Sequence, residues 1–410
     1  LKRVFLFGIL CYTVAVTGIA FSPALGPVFA LRVLQGIGAG SLFAAGPAIA
    51  GRAFSRDQRG MAMGMATGSS ALGTLAGTLG TGYLVGVFGW EVAFLGRVPF
   101  CVLAFVLGWL VLKEDSTTTG HRSFDVRGSV TLVGATVALV LALHMGGRSG
   151  WGSPQVIAAL AASPPLLGLF VYSELKAGWP VLDLRLLLLP AFRAACSGTF
   201  FIQLGAFVIW FIFPFYVAEA LGRGPLALGV LMAFMAGANT VASGVSGWLC
   251  DHIPPRHVAL AGACIVTVGL GWMSMLDGGS STVEVAMRIA AVGLGLGSFQ
   301  AASYSMVLKT VPATRFGTGS GSISLSQSMG SVLSVALGGL AFALWSDHHT
   351  AALAAQGLSE ESIDVKALVR AFQDTFRLGT YVSLVGIGVL LLAHLSWRDP
   401  AAGLEERALT

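Results

Sequence analysis

Long, continuous apolar runs separated by short polar segments dominate the chain. Twelve of these runs reach at least about 17 residues, the length that an α-helix needs to cross the hydrocarbon core of a bilayer. They lie near residues 4–20, 28–50, 60–87, 92–112, 128–145, 156–172, 194–217, 226–249, 258–276, 283–308, 317–345 and 378–397. Because the runs are continuous rather than alternating, they favour helices over the strands of a barrel. The pattern therefore predicts an all-α polytopic membrane protein with twelve visible spans.

The composition agrees with this pattern. Of the 410 residues, 55% are hydrophobic and 10% are charged, whereas about a quarter of the residues of a soluble domain are charged. The net charge is +5, but the basic residues are scattered singly through the loops, which argues against nucleic-acid binding. The five Cys residues have no paired spacing, so neither a disulfide framework nor a metal site is expected.

The basic residues predict the orientation of the chain. If Lys2 and Arg3 are cytoplasmic and the spans alternate in direction, 16 of the 24 Lys and Arg residues fall in inner loops. Positive residues are enriched on the cytoplasmic side, so both visible ends are predicted to be cytoplasmic and the protein to lie in the cell (inner) membrane.

The longest outer loop, 346–377, carries apolar residues at helical spacing after Ser359. A short surface helix on the membrane or the bundle is expected there, with a functional lid as the alternative.

An internal repeat relates the two ends of the chain. The segment 36–41 recurs as 293–298, an offset of 257. At the same offset, four glycines of the third span map onto four glycines of the eleventh: Gly60, Gly64, Gly73 and Gly82 onto Gly317, Gly321, Gly330 and Gly339. The copies are eight spans apart and run in the same direction, which indicates a parallel duplication. Six-span halves would be six spans apart, so two spans are inserted between the halves, and symmetry predicts two further spans before Leu1.

Short motifs follow one another in a specific order. They are Leu31 to Ala39 with a buried arginine, Arg59-Gly60, Gly89-Trp90 with Val98-Pro99, Phe124 to Gly128, Trp179 to Leu186, and Gly247 to Asp251 followed by Arg256. In this order they resemble the fourteen-span drug:proton antiporter family of the major facilitator superfamily, over essentially the whole visible chain. Two residues depart from the family's antiporter motif: Thr78 stands where Pro is expected, and Thr81 replaces a glycine.

The resemblance implies a fold and an activity. The fold is a major facilitator fold, with two parallel-repeated helix bundles and two inserted spans, of which twelve of an expected fourteen spans are visible. Residues 1–112 would form an N-terminal bundle without its first two spans, 113–193 the inserted spans and a linker, 194–397 a six-span C-terminal bundle, and 398–410 a cytoplasmic tail. The activity is proton-coupled export of amphipathic or cationic drugs and toxic compounds by alternating access. A transporter of one metabolite or siderophore, and an inactive truncated product, remain alternatives.

The expected partners follow from the same reading. They are small lipophilic substrates and the lipid bilayer, with no nucleic acid; an adaptor or outer-membrane channel is left open. No cofactor is expected, because the proton gradient would supply the energy for transport. No Gly-Lys dipeptide occurs, so the chain has no ATP-binding Walker A loop, and it carries neither His-Glu-x-x-His nor Gly-x-Ser-x-Gly, which argues against an enzyme.

Arg32 is the first candidate for proton coupling. It lies a few residues inside an apolar span, where an unpaired cation is costly, so it is expected to face the bundle and find an acidic or carbonyl partner. Gln35, one turn later, would line the same face. The functional interpretation is a charge that tunes the proton affinity of a neighbouring acid, and the alternative is a structural ion pair.

Two further groups concern conformational change. Gly64, Gly73, Gly77, Gly80 and Gly82 would form a packing motif that lets two helix backbones approach closely and rock. Asp251 and Arg256 bracket Pro254-Pro255 in an inner loop and are candidates for a cytoplasmic gate, with a plain loop stop as the alternative.

Polar or aromatic residues inside second-half spans are candidates for a substrate cavity. They are Gln203, Trp210, Asn239, Gln300 and Tyr304. Together they could line a site for a flat lipophilic cation, although each alone is as consistent with helix packing. His144 lies near the end of its span and is interpreted as interfacial.

Overall fold

A computed structural model describes residues 1–55, 58–113, 125–177, 182, 184–311, 315–355 and 360–395. The predicted tail at 398–410, Ser359 and parts of the predicted linker lie outside these residues. Fourteen α-helices are described: α1 (Lys2–Ala20), α2 (Leu25–Ala53), α3 (Arg59–Phe88), α4 (Trp90–Leu95), α5 (Val98–Val111), α6 (Val126–Ser149), α7 (Pro154–Lys176), α8 (Pro190–Ala206), α9 (Ile209–Phe215), α10 (Pro225–His252), α11 (Pro255–Met273), α12 (Thr282–Thr310), α13 (Phe316–Ala354) and α14 (Glu360–Leu395). The described residues contain no strand.

The helices confirm the predicted all-α membrane fold. By length and composition, eleven spans in the described part of the chain can cross a membrane, where α4–α5 count as one span and α8 to the π-helical turn Tyr216–Ala220 as another. The predicted third span is the 30-residue α3. It is not among the eleven, although its 30 residues are enough to cross a bilayer. With α3 the described spans number twelve.

Local sequence signals explain several helix starts. The Asp125 carboxylate accepts a hydrogen bond from the Gly128 N–H at 2.8 Å and caps α6. Ser153 and Ser281 cap α7 and α12 in the same way, because a side-chain oxygen satisfies an N–H that has no partner inside the helix. Proline stands in the first turn of α7, α8, α10 and α11, where its missing N–H costs nothing.

Three groups of neighbouring helices make up the bundle. α1 packs against α2 and α5, α6 packs against α7, and α8 and α10–α14 share the main buried core. The first half meets the second mainly where α3 packs on α10 and α12 and where α2 packs on α13. These contacts position the residues described below.

The prediction of a separate short surface helix in 346–377 is wrong. Instead, α13 has 39 residues and α14 has 36, about 58 and 54 Å at 1.5 Å per residue, whereas the hydrocarbon core of a bilayer is about 30 Å thick. The two helices continue past that thickness as an antiparallel pair, which we call the distal hairpin (residues 346–355 and 360–377). Buried Leu353, Ile363 and Ala367 pack together at its tip. The apolar face, which was expected to rest on the membrane or on the bundle, is covered by protein.

Candidate substrate cavity and inter-half contacts

A cavity of about 980 Å³ lies between α6, the α8–α9 region and α13, with Phe43 of α2 at one end. Its size is in the range of small-molecule binding sites. It is lined by Phe43, Val140, Leu141, Leu143, His144, Gly147, Phe207, Phe211, Ser324, Gln327, Ser328, Ser331, Val332, Val335, Ala336, Gly339, Leu340 and Ala343. The walls are therefore mostly apolar, with a polar strip on α13.

The polar strip consists of Ser324, Gln327, Ser328 and Ser331, which recur three or four residues apart and so share one face of α13. Two residues that the sequence analysis singled out form hydrogen bonds to this strip from the side that faces away from the cavity. The Tyr304 hydroxyl is 3.1 Å from Ser324 Oγ and donates to Gln327 Oε1 at 3.4 Å. The Gln203 side-chain amide donates to Ser331 Oγ at 3.3 Å.

The five predicted cavity residues do not line this cavity themselves. Gln203 and Tyr304 are buried behind its wall, and Gln300 is half-buried on α12. Trp210 is 37% exposed, with its ring 6.4 Å from that of Phe207, which does line the cavity. Asn239 Oδ1 accepts a hydrogen bond from Ser243 Oγ at 3.2 Å. The role of these five residues in binding stays a prediction.

The sequence interpretation missed the residues that line the cavity, among them His144, Gln327 and the serines of α13. His144 lies one turn before the last turn of α6 and is exposed to the cavity, which a position near a span end does not reveal. The serines carried a usable signal, because their helical spacing within an apolar span marks one polar face. Among the described residues lining the cavity there is no Asp, Glu, Lys or Arg, and His144 is the one histidine.

Asp251 joins the end of α10 to the start of α3. Its two carboxylate oxygens accept hydrogen bonds from the backbone N–H groups of Gly60 and Met61, both at 2.8 Å. Lys309 at the end of α12 lies 3.5 Å from Asp251 Oδ1 and donates to the Cys250 carbonyl at 2.6 Å. A negative charge at a helix N-terminus is favourable because the free N–H groups and the helix dipole are positive there. Asp251 therefore ties both halves together at one end of the bundle.

The other predicted gate residue, Arg256, is half-buried in the first turn of α11. Lys309, which the sequence did not single out, is the cation described beside Asp251. The available signal was a basic residue in the last turn of α12.

The glycines of α3 divide into two groups. A Cβ on Gly64 would lie 2.6 Å from the Ser243 carbonyl oxygen and 2.8 Å from Gly247 Cα, so only glycine allows α3 and α10 to cross this closely. A Cβ on Gly73, Gly77, Gly80 or Gly82 would have nothing within 4 Å. The close approach predicted for the whole motif is found at Gly64, and a role of the other four in motion stays a prediction.

A second contact between the halves joins α2 to α13. The hydroxyls of Ser320 and Ser324 donate to the carbonyl oxygens of Ala44 and Phe43, at 2.8 and 3.1 Å. α2 also approaches α12, since a Cβ on Gly51 would lie 2.8 Å from the side chain of Leu308. These contacts lie between the cavity and the end of the bundle where Asp251 binds α3.

Arg32 pairs with the residue predicted to share its face. Its Nη1 donates to Gln35 Oε1 at 3.0 Å, and its guanidinium lies 5.1 Å from the Phe94 ring. Arg97 lies 5.4 Å from the same ring. The partner oxygen is an amide carbonyl rather than a carboxylate. Gln35 is buried, but Arg32 itself is exposed, so the expectation of a buried arginine is wrong. A role of the pair in proton coupling stays a prediction.

Comparison with known proteins places this architecture in a family. A family model described as Major Facilitator Superfamily matches residues 1–192 and 195–407. The multidrug resistance protein Stp of Mycobacterium tuberculosis (strain ATCC 25618 / H37Rv) is 25% identical over 406 residues, which are 99% of this chain and 74% of Stp. The tetracenomycin C resistance and export protein of Streptomyces glaucescens is 27% identical over 347 residues, 83% of this chain and 64% of that protein. The crystal structure of the human organic anion transporter MFSD10 (TETRAN) is similar in fold, with a TM-score of 0.62 at 13% identity over 93% of this chain and 76% of that chain.

Proposed function

The chain belongs to the Major Facilitator Superfamily, and we propose that it is a secondary transporter that exports flat amphipathic drugs and toxic compounds in exchange for protons, by alternating access. The observation that carries the proposal is the cavity of about 980 Å³, which combines the aromatic rings of Phe207 and Phe211 with the polar strip of α13. Two relatives named for drug resistance or export support the substrate class.

The contacts between the halves support a transport cycle. In the orientation predicted from the basic residues, the Asp251–α3 contact lies at the cytoplasmic end and the cavity extends from mid-depth towards the outer end. We therefore propose that this arrangement is a state closed to the cytoplasm. Opening on that side requires breaking two hydrogen bonds, which Gly60 donates to Asp251 and Ser320 donates to Ala44. The free energy of so few polar contacts could be outweighed by a change in protonation.

Proton exchange is the driving force we propose because the chain has no Walker A loop and Arg32 stands in a span beside Gln35. In membrane vesicles turned inside out, an acidic lumen should drive uptake of a fluorescent amphipathic dye such as Nile red. Uptake that ignores the imposed pH gradient would contradict proton coupling.

A matched pair of variants tests the cavity. Ala336 lines it, whereas the next residue, Leu337, does not and is 39% exposed. Ala336→Phe should fill the cavity and abolish gradient-driven uptake at unchanged expression, and Leu337→Phe should leave uptake intact. Equal uptake by both variants would show that the cavity does not lie on the transport path.

A further inference from the structure

The residues that line the cavity indicate which charge its ligand can carry. It lacks any carboxylate, because no Asp or Glu occurs among the described residues that line it. A cation that leaves water for a mostly apolar site needs an opposite charge to offset the lost hydration. The rings of Phe207 and Phe211 attract a cation only weakly by comparison. The lining therefore disfavours a ligand with a fixed positive charge.

The polar groups of the cavity favour hydrogen-bond acceptors on the ligand. Tyr304 already donates to Gln327 Oε1, so the amide nitrogen of Gln327 is the part of this side chain that is left to donate. The hydroxyls of Ser324 and Ser331 donate to the carbonyl oxygens of Phe43 and Gln327. Gln327 and Ser328 on α13 and His144 on α6 thus remain as donors on two walls, since a neutral imidazole carries one N–H.

His144 reaches the cavity from α6, which belongs to the two inserted spans. It is exposed to the cavity and shares the lining with Gln327 of α13. α6 also contacts α13 directly, where the Thr136 hydroxyl lies 3.5 Å from the Met329 sulfur. An inserted span therefore forms one wall of the candidate site rather than standing apart from it.

We propose that this cavity takes planar aromatic compounds that are neutral or weakly acidic and carry carbonyl or phenolic oxygens, and that His144 is a specificity-determining residue. This inference rests on the proposed export function and narrows its substrate class. The rings of Phe207 and Phe211 would stack on the ligand, and Gln327 of α13 and His144 of α6 would donate to its oxygens.

Two dyes with one skeleton test the charge preference. Rhodamine 123 and fluorescein methyl ester share a xanthene ring system and a methyl benzoate, but the first is a cation and the second is neutral or singly anionic. Binding to the purified full chain in detergent is followed by fluorescence polarisation, without any proton gradient. We expect the ester to bind about 10-fold more tightly than rhodamine 123, a tenfold ratio that corresponds to the cost of an uncompensated charge in a partly open site. Equal binding of the two dyes, or tighter binding of rhodamine 123, would overturn the proposal.

Variants of His144 test its role. Removal of one neutral hydrogen bond by His144→Leu should weaken ester binding by about 3- to 10-fold, whereas His144→Gln, which keeps a donor, should restore most of it. His144→Glu adds the missing carboxylate and should shift the preference towards rhodamine 123. His348→Leu is the matched control, because His348 is exposed on α13 outside the cavity. If His144→Leu and His348→Leu bind both dyes alike, His144 has no part in specificity.

The outcomes separate the inference from the proposed function. Tight ester binding without gradient-driven transport would contradict proton-coupled export and leave the assignment of the site in place. Gradient-driven transport of rhodamine 123 alone would leave export in place and overturn the assignment.

Discussion

The carboxylate of Asp251 accepts a hydrogen bond from the backbone N–H of Gly60 at 2.8 Å, although 191 residues separate the two in the sequence. The bond joins the last turn of α10 to the first turn of α3. Its strength depends on the negative charge, because the first N–H groups of a helix have no partner within the helix and carry a partial positive charge.

Replacement of Asp251 should destabilise this contact. Asp251→Ala removes the acceptor of both the Gly60 and the Met61 N–H groups. We expect the free energy of unfolding to fall by about 1–2 kcal/mol, as for other helix caps. Asp251→Asn keeps an oxygen but loses the charge, so its loss should be smaller. Thermal unfolding of the purified protein in detergent measures both. Asp364→Ala, an exposed site on α14, is the control, and equal melting of Asp251→Ala and this control would contradict the role of the cap.

Two glycines of α3 should respond differently to the same substitution. Gly64→Ala places a methyl group against the Ser243 carbonyl and the Gly247 backbone, and overpacking of this kind costs about 1–3 kcal/mol. Gly77→Ala meets nothing within 4 Å and should be neutral or slightly stabilising, because alanine favours a helix. The melting temperatures of the two variants in detergent make the comparison, and a stable Gly64→Ala variant would show that α3 and α10 do not cross at this point.

Asp374 should stabilise the distal hairpin. It accepts hydrogen bonds from His349 Nε2 at 2.7 Å and from Arg377 Nη1 at 2.9 Å. The bond from His349 joins α13 to α14 on the bundle side of the buried tip residues. Asp374→Ala should lower the local opening free energy by about 1 kcal/mol, which hydrogen–deuterium exchange would detect as faster exchange in residues 346–354. Asp347→Ala, an exposed neighbour on α13, supplies the comparison. Unchanged exchange in the Asp374 variant would argue against the link.

Apolar length predicted the spans well, since it depends on local sequence alone. For the distal hairpin, local sequence does not predict which surface covers the apolar face. The apolar positions of 363–376 fit a helix whose apolar face rests on lipid as well as one packed on protein, and Phe372 and Phe376 are in fact fully buried. Nothing local distinguishes the two partners.

The candidate site was predictable to a smaller extent for the same reason. Gly64 and Gly77 look alike in sequence, but only one of them faces α10. Gln203 and Tyr304 were predicted to line a cavity, but they bind Ser331 and Ser324 from behind the cavity wall. The contribution of His144 depends on α6 lying beside α13, a tertiary contact that no spacing along the chain encodes.

The length of α13 and α14 has a practical use for imaging. A transporter made almost entirely of membrane helices offers little outside its detergent belt by which single particles can be aligned in electron cryomicroscopy. The distal hairpin projects beyond that belt and is held by Asp374 and by Leu353, Ile363 and Ala367. An antibody fragment raised against it would add mass at a defined end of the molecule and would show which face of the membrane that end occupies.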